Sequence, residues 1–193
     1  KFQTQFPDVL LNVEISNTRG VESALIEKRA DIGFVEGPIS SDQLSLTTID
    51  HDQPSLVVSS RHWRSIRKSA SSVDLLKLPW IIREPGSGTR GILEKLSAKK
   101  GLKWEQLNII LELPSNEAVR EAVEAGAGVT LISQHVVASS LKAGSLRAIP
   151  IDVPPRDYQM VIGKAFPTNN ATIALATMIT EGVQDEEFSA GIV

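Results

Sequence analysis

Residues 79–96, PWIIREPGSGTRGILEKL, change their hydrophobic period partway along, and that change decides how the chain folds. The first part, PWIIRE (79–84), is a short apolar run with β-branched residues, the pattern of a strand. The last part sets Ile92, Leu93 and Leu96 among Lys and Glu at helical spacing. Between them lie Pro85, Gly86, Ser87, Gly88 and Thr89. Two glycines at such a junction let the backbone turn tightly and bring its N–H groups close to a neighbour. Ser87 or Thr89 can cap the helix by accepting from a free amide, worth about 1 kcal/mol. Two readings stay open on these residues alone. One is a well-capped strand-to-helix turn; the other is a cradle for an anion, built from amides, a hydroxyl and the helix dipole.

The same alternation runs through the chain. Strand-like runs occupy 9–15, 31–36, 44–50, 55–60, 79–84, 108–113, 128–133, 146–151 and 158–163. Helix-like runs occupy 18–29, 72–77, 88–100, 116–125, 134–143 and 170–182. Such alternation predicts an α/β fold of βαβ units with mostly parallel sheets. Polar residues mark the helix starts: Asn17-Thr18, Ser115 and Ser133, while Gly126 and Gly144 mark stops. Four strand–turn–helix junctions therefore carry Ser, Thr or Asn, and in parallel sheets such junctions gather where ligands bind. Residues 60–72, SRHWRSIRKSASS, read as a basic exposed loop, and 185–193, DEEFSAGIV, as a frayed tail.

Composition excludes several classes. At 193 residues the chain can bury a real core as one large domain or two lobes. Its net charge is −3, with Lys and Arg scattered, so no basic stripe exists to hold a nucleic-acid backbone. Zero cysteines rule out disulfides, thiolate metal sites and Cys nucleophiles, which fits a reducing cytoplasm. No apolar run approaches a membrane span.

No catalytic constellation is visible. His51, His62 and His135 lie far apart without metal-ligand spacing, and read as surface residues. GSGTR (86–90) lacks the Gly-Lys-Ser/Thr of a P-loop and the third glycine of a dinucleotide fingerprint. Asp50, His51 and Asp52 read as a solvated turn. Arg90, in a first helical turn, opposes the macrodipole, so it either pairs with Glu94 four residues on or meets an anion. The same argument applies to Arg19, whereas Arg83 reads as structural.

FPDVLLNVEISNTRGVESALIEKRADIGFVEGP (6–38), the PWIIREPGSGTRGILE stretch and SNEAVREAVEAGAGVTLIS (115–133), taken in order, resemble the effector-binding domain of LysR-type transcriptional regulators. The likeness covers residues 2–182. It implies two Rossmann-like α/β lobes with mixed, mostly parallel sheets joined by two crossover strands, as in type 2 periplasmic binding proteins. Lobe I would take 1–55 plus 158–193, and lobe II 56–157. The resemblance also implies a small effector held between the lobes by Asn17, Thr18 and Arg19 in the first, and by Pro85, Gly86, Ser87, Gly88 and Thr89 in the second. Ser115, Asn116 and Gly128 would lie around the same cleft. With this resemblance in view the cradle reading of GSGTR is preferred.

The family's winged helix-turn-helix, first strand and most of its first helix would precede KFQTQFPDV (1–9), and DNA would be bound only through that upstream domain. The resemblance further implies a cytoplasmic homodimer or tetramer with no cofactor, no metal, no membrane association and no catalytic role. The wording VEGP (35–38) with REPGSGTR (83–90) is closest to a subgroup tied to sulphur assimilation and carbon fixation. It points to an oxyanion such as sulfate or sulfite, with a small carboxylate equally compatible. The alternative is a solute-binding protein of a transport system, which shares the fold.

Overall fold

The computed structural model describes residues 1–67, 75–164 and 169–190. Two crossings, between His51 and Asp52 and between Arg156 and Asp157, divide the chain into units. Unit 1 is Lys1–His51 with Asp157–Val193, and unit 2 is Asp52–Arg156. The sequence places these divisions at 55/56 and 157/158.

Unit 2 is built on a five-stranded sheet in the order β5-β4-β6-β3-β7. The strands are β3 (Pro54–Ser59), β4 (Trp80–Arg83), β5 (Ile109–Leu113), β6 (Val129–Ser133) and β7 (Leu146–Ile149). The sheet is mixed: β4 runs parallel to β5 and β6, whereas β3 runs antiparallel to β6 and β7. Every residue of β3, β4 and β6 is buried, which is why these runs are almost continuously apolar: both faces are covered. On one face Leu56, Val58, Trp80, Ile82, Val129 and Leu131 pack against Ile92, Leu93 and Leu96 of α4 (Gly88–Lys99). On the other, Val57, Ile81 and Ile132 meet Val119 and Val123 of α5 (Asn116–Glu124) and Val137 of α6 (Gln134–Ala143). The two-residue alternation of a strand thus sorts each run between two helical layers.

Unit 1 has a three-stranded sheet in the order β1-β8-β2, formed by β1 (Gly33–Val35), β2 (Leu44–Asp52) and β8 (Arg156–Gly163). Here β1 and β8 run antiparallel, with Gly33 opposite Val161. Leu25 of α2 (Thr18–Ile26) completes a core with Val35, Leu44 and Val161.

Several expectations change. Residues 9–15 form no strand. Among the described residues no strand lies alongside to take their backbone bonds, and Leu10, Val13 and Ile15 stand 91%, 80% and 94% exposed. The expected basic loop contains a short helix, α3 (Trp63–Arg67), and residues 2–5 form another, α1 (Phe2–Gln5). Of the expected helix 72–77, residues 72–74 lie outside the described residues and 75–77 form a turn. The last helix, α7 (Asn170–Ala190), continues through most of the expected frayed tail, where VQDEEFSA (183–190) carries no Gly or Pro to stop it.

Candidate functional site

In unit 2 the parallel strands β4, β5 and β6 end together, and each leads into a helix. The chain leaves β4 toward α4 on one face of the sheet, but leaves β5 and β6 toward α5 and α6 on the other. Loops departing in opposite directions part at the carboxyl edge, the place where such sheets take ligands.

The turn after β4 is closed by the Ser87 N–H donating to the Glu84 carbonyl at 3.2 Å. Pro85 and Gly86 take its central positions, and Gly86 has φ 91°, the conformation a type II turn demands at its third residue. Both residues therefore have a backbone reason to be there. Ser87 then occupies the N-cap position of α4 with extended φ/ψ, yet its side chain caps no amide. The first intrahelical bond is Gly91 N–H to the Ser87 carbonyl at 3.1 Å, so the first-turn amides lie ahead of the helical ladder.

The other three strand-to-helix junctions marked in the sequence behave differently. Asn17 caps α2 by accepting from Gly20 N–H at 2.9 Å, and Ser115 caps α5 by accepting from Ala118 N–H at 3.1 Å. Ser133 caps α6 by accepting from His135 N–H at 3.1 Å. Of the four, Ser87 alone keeps its hydroxyl out of helix capping, although the residue is only 7% exposed.

Two arginines flank this turn. Arg83, at the end of β4, donates Nε and one terminal nitrogen to the two carboxylate oxygens of Glu84, at 2.8 and 3.0 Å. Its other terminal nitrogen donates to Asn116 Oδ1 at 2.7 Å, which ties β4 to the start of α5. Arg90 pairs with Glu94 and Glu112, at 2.8 and 2.7 Å, and lies 4.7 Å from the Trp104 ring centroid. Those partners settle the Arg90 question: its charge is matched by carboxylates and its plane by an aromatic face.

Asp52 overturns the reading of Asp50–Asp52 as a solvated turn. Its carboxylate is fully buried and accepts from Ser133 Oγ and from Arg156 Nε, each at 2.8 Å. This links the first and last residues of unit 2 to the start of α6. Beside it, Gln134 Nε2 donates to Ser55 Oγ at 3.0 Å. His51 pairs with Asp157 at 2.9 Å within unit 1, while His62 and His135 are exposed.

The structure brings Pro85–Thr89, Ser115 and Asn116 to one sheet edge, but it does not bring Gly128 there. Gly128 precedes β6, beside the beginning of β4, where Trp80 faces Val129. It is a full strand, roughly 16 Å, from the edge at Ser133. Its reason is steric: a Cβ there would come within 2.3 Å of the Pro79 carbonyl oxygen, which accepts from Val129 N–H. In unit 1, Asn17 uses its oxygen as a cap, Thr18 is buried and Arg19 is exposed. Asp52 and Arg156 escaped sequence reasoning because 104 positions separate them. Among the described residues no cluster of three His, Cys, Asp or Glu stands where it could hold a metal ion. No helix among them is long and apolar enough to cross a membrane.

Comparisons with known proteins bear on the chain as a whole. The LysR substrate binding domain model matches residues 1–184. The "Uncharacterized HTH-type transcriptional regulator YeiE" of Escherichia coli (strain K12) is 30% identical over 155 residues, covering 80% of this chain and 51% of that protein. The HTH-type transcriptional regulator CysL of Bacillus subtilis (strain 168) is 31% identical over 141 residues, covering 73% of this chain and 46% of that protein. The chain spans about half the length of the curated relatives it matches. Among solved structures, the Synechocystis PCC6803 CcmR regulatory domain in complex with 2-PG shares the fold, with a TM-score of 0.82 at 20% identity over 94% of this chain and 87% of that one.

Proposed function

The chain belongs to the LysR substrate-binding domain family, and we propose that it senses a small anionic metabolite for a transcription regulator about twice its length. The observation that carries this reading is Ser87. A hydroxyl that caps no amide, on a residue only 7% exposed at the start of a twelve-residue helix, stands where hydroxyl, amides and dipole all favour a negative guest. The effector contacts in unit 2 are Pro85–Thr89, Ser115 and Asn116. In unit 1 the same reading assigns Asn17, Thr18 and Arg19. Gly128 is withdrawn from the set.

Sulfate, sulfite and small carboxylates are the effector classes such a seat takes, since each offers oxygens for charge-assisted bonds. Binding shifts the population of protein conformations, and a coupling of about 1–3 kcal/mol is enough to alter a homodimer or tetramer that holds DNA through another segment of the full-length protein. The setting is the cytoplasm. A transport-system solute-binding role is not favoured, because the two curated relatives carry transcriptional-regulator names.

The test is a thermal-shift and calorimetric panel of these anions against the wild type, Ser87→Ala and Thr18→Ala. Losing one hydroxyl bond to a charged ligand costs about 1.5–3 kcal/mol, so affinity should fall at least tenfold in Ser87→Ala with its fold retained. Unchanged affinity in both variants refutes the assignment.

A further inference from the structure

Glu84 is at odds with an anion seat. Its carbonyl closes the turn that presents Ser87, so a carboxylate belongs to the same four-residue turn as the proposed cradle. Left alone, that charge would repel an anionic guest. It is not left alone: both its oxygens are taken by Arg83.

This pairing is unusual in its origin. Successive residues of a strand point to opposite faces, so neighbours at i and i+1 do not ordinarily meet side chain to side chain. Here β4 ends at Arg83 and the chain reverses at Pro85-Gly86, which lets Glu84 fold back onto its own neighbour. The Arg83 side chain is 10% exposed and that of Glu84 24%, so the carboxylate is the more accessible partner. Arg90 offers no substitute charge, since Glu94, Glu112 and Trp104 hold it.

We propose that Glu84 is an internal counter-anion that sets the affinity and selectivity of the cradle, because it fills the fork of Arg83 that an incoming oxyanion would otherwise use. This rests on the reading of the α4 start as the effector seat. With Glu84 in place the arginine and carboxylate cancel, and sulfate at the Ser87 hydroxyl and the backbone amides competes with Glu84 for the Arg83 fork. A guest that gains more must displace Glu84 from two parallel charge-assisted bonds, which favours planar or tetrahedral anions with two oxygens to offer. Glu84 is thus a specificity-determining residue.

Sodium sulfate titrations at constant ionic strength, by calorimetry, test this on the wild type, Glu84→Gln, Ser87→Ala and the double variant. The Arg83 Nε–Hε resonance is followed by NMR in the wild type. Glu84→Gln should bind sulfate roughly tenfold more tightly, since a unit of opposing charge is removed beside the guest. Ser87→Ala should remove the gain, and the Arg83 resonance should move during the wild-type titration. Equal or weaker binding by Glu84→Gln, alongside wild-type binding that Ser87→Ala abolishes, overturns the role of Glu84 and leaves the cradle standing. Sulfate binding that ignores Ser87→Ala, or no binding by either wild type or Glu84→Gln, overturns the cradle and the proposal together. Should Glu84→Gln not fold, Glu84→Ala replaces it, and a stationary Arg83 resonance in saturated wild type overturns the proposal by itself.

Discussion

Replacing Asp52 by Asn should damage unit 2 more than any other single polar substitution discussed above. The carboxylate is fully buried and accepts from Ser133 Oγ and Arg156 Nε, each at 2.8 Å. Asn keeps the shape but removes the charge, and leaves the Arg156 guanidinium, 12% exposed, without that counter-charge. Removing one partner of a buried pair costs about 3–5 kcal/mol, most of it the penalty on the charge left behind. For a chain of this size that is a fall in Tm on the order of 10 °C. Urea unfolding followed by tryptophan fluorescence is a clean assay, because Trp63, Trp80 and Trp104 all lie in unit 2. A cycle with Arg156→Met should show the double variant losing much less than the sum of the singles. A loss under about 1 kcal/mol in Asp52→Asn, or strict additivity in the cycle, would refute the claim that this pair is coupled.

Two further outcomes are expected. Gly128→Ala should destabilise by about 1–3 kcal/mol or prevent folding, since its Cβ would sit 2.3 Å from the Pro79 carbonyl oxygen, and chemical denaturation reads the loss. Glu124 accepts hydroxyl bonds from Ser140 and Ser145, which hold its carboxyl below the ordinary 4.5. A depressed folded value gives stability that is present above the unfolded pKa and lost as pH falls through the folded one. The stability gap between wild type and Ser145→Ala should therefore be full near neutrality and close in acid below pH 4.5, and carboxyl NMR should show Glu124 titrating nearer 4.5 in that variant.

What could be read along the chain was local. Asn17, Ser115 and Ser133 cap helices whose acceptors and donors lie within three residues, so their chemistry is written in short windows of sequence. The period change across 79–96 likewise identified β4, its turn and α4, because strand and helix periodicities are properties of neighbouring residues. The pairing of Arg90 with Glu94 belongs to the same class.

Other features needed partners that the sequence does not place nearby. Residues 9–15 have the alternation of a strand, but a strand exists only where another lies beside it, and none does among the described residues. Ser87 could be read along the chain as a cap or as part of a cradle, and only the folded turn shows that its hydroxyl caps no amide. Gly128 looked like part of a binding turn until β6 met Pro79, 49 positions earlier.

By itself the sequence determined the α/β class and the kind and order of most elements, since these follow from interactions spanning a few residues, but not the fate of residues 9–15, the helix Trp63–Arg67 or the end of the last helix. Tertiary structure alone decided that Asp52 is buried beside Arg156, that β4, β5 and β6 share a carboxyl edge, and that Arg83 is held by Glu84. Those depend on where the chain returns in space, and burial and charge pairing act through space rather than along the backbone.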